Sequence, residues 1–139
     1  MSRIREEHVR TAVLQSLKRS GYELRCEFPL VGRVADIFGV HVSSGVTVAI
    51  ECKERDWSKA IRQARAYQGA ADLVYVALPR SRASEKAKQA LACYGLGLLV
   101  VDEEGHMDEI LSARRAEHFV QVHLDLAKQR FARPLPAPN

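Results

Sequence analysis

Asp36 lies inside Val34-Ala-Asp36-Ile-Phe38, and fifteen positions later Glu51 precedes Lys53 by two residues in Val48-Ala-Ile-Glu51-Cys-Lys53. Two carboxylates brought to one spot repel each other, and the arrangement becomes sensible once a hard divalent cation sits between them. Mg²⁺ or Mn²⁺ suits an all-oxygen set made of Asp36, Glu51, the Cys52 backbone carbonyl and waters. Lys53 would then orient or help deprotonate a metal-bound water and offset charge on a phosphate in the transition state. Phosphodiester hydrolysis is the natural reaction. Glu-x-Lys by itself is a common solvated ion pair on a strand. What gives this one weight is Asp36, an acid flanked by hydrophobes and costly there unless partnered.

The elements around these residues must bring them together. Arg33 to Val42 and Val46 to Lys53 read as strands joined at Ser43-Ser44-Gly45, turn chemistry suited to a hairpin. Alternation sends Val46, Val48, Ile50 and Cys52 to one face, expected to be the core, and Glu51 and Lys53 to the other, expected to be a cleft. With a two-residue turn Asp36 faces Glu51, and with a four-residue turn it faces Lys53. Either register gathers all three groups, and a slip of one residue would separate them.

Helical spacing of Val9, Ala12, Val13 and Leu17 predicts a first helix over 3–20, stopped by Gly21. Tyr22 to Phe28 alternates as a strand that Pro29 ends. A helix over Trp57 to Gln68, with Ser58 as its cap, precedes the apolar strand Asp72 to Leu78. Ala83 to Tyr94 reads as a helix, Leu96 to Val101 and His106 to Leu111 as strands, and Ala113 to Phe131 as a last helix. The expected class is α/β with a mixed sheet, in the order α-β-β-β-α-β followed by α-β-β-α. Strands joined by short turns must be antiparallel, and the helix after Lys53 allows a parallel crossover.

At 139 residues, with 47% hydrophobic and 27% charged residues, the chain suits a single domain over 1–132, and the Pro-rich tail 133–139 has no packing pattern. No apolar run reaches the length of a membrane span, and the charged N-terminus lacks a signal-peptide core, so a cytoplasmic protein is expected. Three widely spaced cysteines argue against disulfides and structural zinc. Gly95-x-Gly97 lacks the rest of a dinucleotide loop, and no small organic cofactor is expected. The formal charge of +4 permits a polyanion partner without demanding one.

Asp36, the Glu51-Cys-Lys53 doublet, the leading acidic helix and the helix that follows resemble the PD-(D/E)XK nuclease superfamily, the restriction-endonuclease-like fold. The resemblance covers roughly Glu6 to Ile110. Gln63-Ala-Arg-Ala-Tyr67 is similar to the Q-x-x-x-Y motif of several of its branches, and Ala35 replaces the proline usual before the first acid. The resemblance implies that Asp36 and Glu51 bind metal, that Lys53 is the catalytic lysine and that Gln63 assists near the metal or the nucleic acid. It also implies an acid on the first helix. Glu7 is favoured, with Glu6 and Glu27 as the other candidates.

Lys59, Arg62, Arg65 and Tyr67 on the second helix, and Arg80, Arg82 and Lys86 after the next strand, are candidate nucleic-acid contacts. The same residues also fit simpler roles, the cations as solvated charges and Tyr67 as a packing group. Trp57 fits a packing anchor or a base-stacking platform. Phe119, Val122, Leu124 and Leu126 suit a cap on the sheet or a dimer interface. The expected protein is an Mg²⁺- or Mn²⁺-dependent deoxyribonuclease, an endonuclease acting on DNA, with branched DNA as a substrate and a homodimer as the assembly. The rival is a non-catalytic nucleic-acid-binding or protein-interaction module on the same fold.

Overall fold

The computed structural model describes residues 4–133; the start of the predicted first helix and all of the predicted tail except Arg133 lie outside them. Among the described residues the order is α1 (Glu6–Arg19), β1 (Tyr22–Leu30), β2 (Arg33–His41), β3 (Thr47–Cys52), α2 (Trp57–Tyr67), β4 (Leu73–Pro79), α3 (Glu85–Cys93), β5 (Gly97–Val101), β6 (Met107–Leu111) and α4 (Gln121–Ala132). A single 3₁₀ turn, Arg80–Arg82, links β4 to α3. The six strands form one mixed sheet in sequence order. β1, β2 and β3 run antiparallel, β3, β4 and β5 are parallel, and β6 returns antiparallel to β5. No helix among these residues is long and apolar enough to cross a membrane.

Two cores lie on opposite faces of the sheet. Val9 and Val13 of α1 pack on Ile37, Val48, Ile50 and Cys52, while Ala60, Ala64 and Tyr67 of α2 pack with Ala49, Phe38 and Val76. All six residues of β3 are buried. The expected split of this strand into a core face and an open cleft face is therefore corrected: helices cover both faces, as the parallel crossover requires, and Glu51 is 2% exposed.

Other boundaries differ from the sequence expectation for identifiable reasons. β1 continues through Pro29, which pairs with Val34. It can do so because β1 is an edge strand and has no outer ladder bond to lose. Asp56, not Ser58, caps α2: its carboxylate accepts from the Lys59 N–H, and the Ser58 hydroxyl donates to it. The predicted helix over Ala113 to Phe131 forms only from Gln121 onward. The preceding segment spends its backbone elsewhere, Arg114 N–H on Gly95 O and Val120 N–H on Gly69 O, while Arg115 ion-pairs with the buried Asp72. Tertiary bonds override helix propensity there.

Of the apolar residues assigned to that helix, Leu124 is buried, whereas Val122 and Leu126 are exposed; Ala127 and Phe131 are the α4 residues that join the core. Phe119 lies before α4, under Arg115. Trp57 is partly buried against the core, as a packing anchor would be.

Candidate active site

The β2–β3 pairing runs from Val40↔Thr47 to Ile37↔Ile50, which sets Asp36 level with Glu51. This is the register expected of the shorter turn, but the turn itself takes four residues, 42–45, closed by the His41 N–H on Val46 O and the Gly45 N–H on His41 O. Asp36 Oδ2 accepts from the Cys52 N–H at 2.8 Å, pinning the acid across the strand ends. Lys53 Nζ lies 4.0 Å from Glu51 Oε2. The three predicted residues are thus together.

Burial dominates their chemistry. It pushes the Glu51 carboxyl up, repulsion from Asp36 adds to it, and the attraction of Lys53 and the hydroxyl of Tyr67 oppose it, with a net rise to about 7. Asp36 is also raised, by burial above all, against the Cys52 N–H and the charges of Arg10 and Lys53, with Glu27 adding to the rise. Two carboxyls side by side in a buried site each resist ionisation, because burial and mutual repulsion both disfavour the charged form. Burial also pushes the Cys52 thiol well up, with Asp36 and Glu51 adding to it, so the side chain is no nucleophile.

Tyr67, a predicted nucleic-acid contact, is 1% exposed and cannot meet a strand. Its hydroxyl, which makes two contacts, lies 2.8 Å from Val34 O and 3.2 Å from Glu51 Oε1, so it ties α2 to the site. The signal was present in the sequence, since Tyr67 continues the buried stripe of Ala60 and Ala64. Gln63, one turn earlier, has a buried Oε1 that lacks a hydrogen-bond partner.

On α1 the structure turns Glu6 toward the site, not the favoured Glu7. Glu7 is exposed, whereas Glu6 is partly buried and its charge acts on Glu51. Glu6 lies three residues before Val9 and seven before Val13, on the ladder that faces the sheet. Arg10, overlooked as a site residue, lies 3.8 Å from Glu6 and donates to Glu27 at 3.2 Å. Glu27 has the left-handed φ of +52°, an uncommon conformation for a side-chain-bearing residue. The pairs Cys26↔Ile37 and Phe28↔Ala35 bracket it opposite Asp36.

Lys59, Arg62 and Arg65 are exposed along α2, and Arg82 is exposed in the 3₁₀ turn that leaves the sheet at the end where Glu51 lies. Arg80 is ion-paired to Asp108, and Lys86 is exposed. Among the described residues no group of three or more His, Cys, Asp or Glu side chains stands in a metal-ligand arrangement. The side-chain donors at the site are the two carboxylates.

No protein-family profile matches the chain, and no curated protein matches it. A solved structure of a protein of unknown function from Silicibacter pomeroyi is similar, with a TM-score of 0.71 and 19% identity over 95% of this chain and 86% of that one. The likeness is one of fold.

Proposed function

We propose that the protein is a metal-dependent nuclease of the PD-(D/E)XK kind that hydrolyses DNA phosphodiester bonds. The observation that carries this reading is the convergence of Asp36 and Glu51 from neighbouring strands, both carboxyls raised, with Lys53 4.0 Å from Glu51. Asp36, Glu51 and the Cys52 carbonyl are the oxygens that would hold Mg²⁺ or Mn²⁺, and the donor set fits a hard cation. That ion would supply Lewis-acid activation of water and charge neutralisation at the phosphate. The unpaired Gln63 Oε1, buried on the same helix as Tyr67, supports a ligand or ordered water near this face.

The chain's own residues have distinct tasks in this proposal. Glu51 is held by the Tyr67 hydroxyl, so its carboxylate cannot swing away when ionised. Asp36 is held by the Cys52 N–H. Lys53 directs an ammonium toward the phosphate oxygens, where negative charge develops as the bond to the leaving oxygen breaks. Lys59, Arg62 and Arg82 meet phosphates flanking the cut.

Purified protein incubated with linear, circular, single-stranded and branched DNA in Mg²⁺ or Mn²⁺ tests the reading. Cleavage is expected from the wild type, abolished by EDTA and reduced by about a hundredfold or more in Lys53→Ala. Folded wild-type protein that cuts none of these DNAs would overturn it and leave a binding module on this fold.

A further inference from the structure

Away from the carboxylates, the C-terminal end of α2 and the turn after α3 flank an open pocket of about 320 Å³ whose lining includes Arg65, Gln68, Tyr94, Gly95, Arg114 and His118. The Arg65 guanidinium lies over the Tyr94 ring, 4.1 Å from its centroid. Among the described residues it has no ion pair or hydrogen bond. Arg114 spends one N–H on Ala92 O, at the end of α3, and lies against Gly95, where a built Cβ would approach its guanidinium to 3.6 Å. Arg115, also at the rim, is committed to Asp72. One acid, Glu117, is among the lining residues, so cation remains in excess.

Gln68 adds a second requirement. The side chain is 2% exposed, and its Nε2 donates to Tyr94 O at 2.7 Å, which fixes the amide's orientation. Its Oε1 is buried and has no donor. A buried acceptor without a partner is expensive, and such groups in folded proteins are satisfied by water or a ligand. A guanidinium stacked on an aromatic ring and free of carboxylates is pre-organised for a phosphate. A ligand that brings a phosphate to the arginines and an N–H donor to Gln68, directly or through one water, satisfies both.

We propose that this pocket binds a nucleotide unit, with its phosphate on Arg65 and Arg114 and a donor of its base on Gln68 Oε1. Lys59, Arg62 and Arg65 recur every third residue along α2, a rise of about 9 Å from first to last. They form an exposed cationic row leading to the pocket. The proposal rests on and deepens the nuclease reading, because a strand cut at Glu51 would be gripped here at a second point. Binding itself needs no cleavage.

Titrating ¹⁵N-labelled wild-type protein in EDTA with deoxyadenosine monophosphate, an oligo-deoxyadenosine octamer and inorganic phosphate tests it. The Gly95 amide and the Gln68 side-chain amide should shift saturably. Arg65→Gln should weaken the octamer about fivefold or more and lower the slope of log K against log salt by about 0.7. Shifts with the mononucleotide identify a free nucleotide as sufficient, and shifts with the octamer alone identify a strand. Both support the site. Inorganic phosphate binding as tightly as the mononucleotide would overturn the role of Gln68. Shifts confined to other residues would overturn the pocket. Because EDTA prevents cleavage, a failed nuclease assay with these shifts intact would sink only the nuclease reading.

Discussion

Glu51 is the residue on which stability and proposed chemistry pull in opposite directions. Its side chain is 3% exposed, and its carboxyl titrates at about 7 instead of the ordinary 4.5. Between those values the folded protein holds a proton that the unfolded chain has released. Stability therefore falls as pH rises through that window. The shift corresponds to about 3 kcal/mol, an order-of-magnitude figure for charging this group in the fold. Glu51→Gln keeps an oxygen for the Tyr67 hydroxyl and removes the charge. Urea unfolding in EDTA should find the variant more stable than wild type at pH 8 by about 2–3 kcal/mol, and nearly equal to it at pH 5. An equal difference at the two pH values would show that Glu51 does not titrate as described. Asp36 contributes in the same direction, since burial raises it too.

Among the elements, the strands around the site were more legible than the segments that close the other end of the sheet. Asp36, Glu51 and Lys53 could be brought together from sequence because period-two alternation and a short Ser-Ser-Gly turn leave few registers. The cover over Glu51 could not, because one strand's pattern does not say that helices will pack on both faces. Glu6 and Tyr67 were recoverable in principle from the ladders of Val9 and Val13 and of Ala60 and Ala64. The non-helical course of 112–120 was not, since it depends on Gly69, Asp72 and Gly95, all distant in sequence. Gly97 shows how tightly that segment closes: a Cβ there would come within 2.3 Å of the Tyr75 ring and 2.9 Å of the Ala113 nitrogen. Gly97→Ala should cost about 1–3 kcal/mol, as overpacking does. Gly69→Ala is the control, since its Cβ would meet no more than His118 O at 3.8 Å, and should stay within about 0.5 kcal/mol. Thermal unfolding of both variants checks the contrast, and equal losses would mean that the close approach at β5 relaxes freely.

At the scale of the whole molecule, opposite pH dependences meet in one fold. Asp72 is buried, which alone would raise it, but the Thr47 N–H, Arg115 and the Thr47 hydroxyl outweigh burial and hold its carboxyl below the ordinary range. Its contribution to stability is present above that range and is lost as pH falls through its lowered value. The Asp36–Glu51 pair does the reverse, weakening the fold as both groups ionise. Maximal metal-free stability should therefore lie on the acid side of neutrality, between the lowered Asp72 and the raised Glu51. A divalent cation that binds the ionised pair acts only on the folded state and stabilises it by RT ln(1 + [L]/Kd), about 2.7 kcal/mol at a hundred times Kd. At pH 8 the melting temperature should rise as Mn²⁺ or Mg²⁺ is added. At pH 5, where Glu51 keeps its proton, the rise should shrink, and Asp36→Ala should remove it at both. Scanning calorimetry across this matrix separates site binding from general cation effects, because surface charges would respond similarly in the variant. A metal-induced rise that survives Asp36→Ala, or that is as large at pH 5 as at pH 8, would place the cation elsewhere and remove the chemical basis for hydrolysis at this pair.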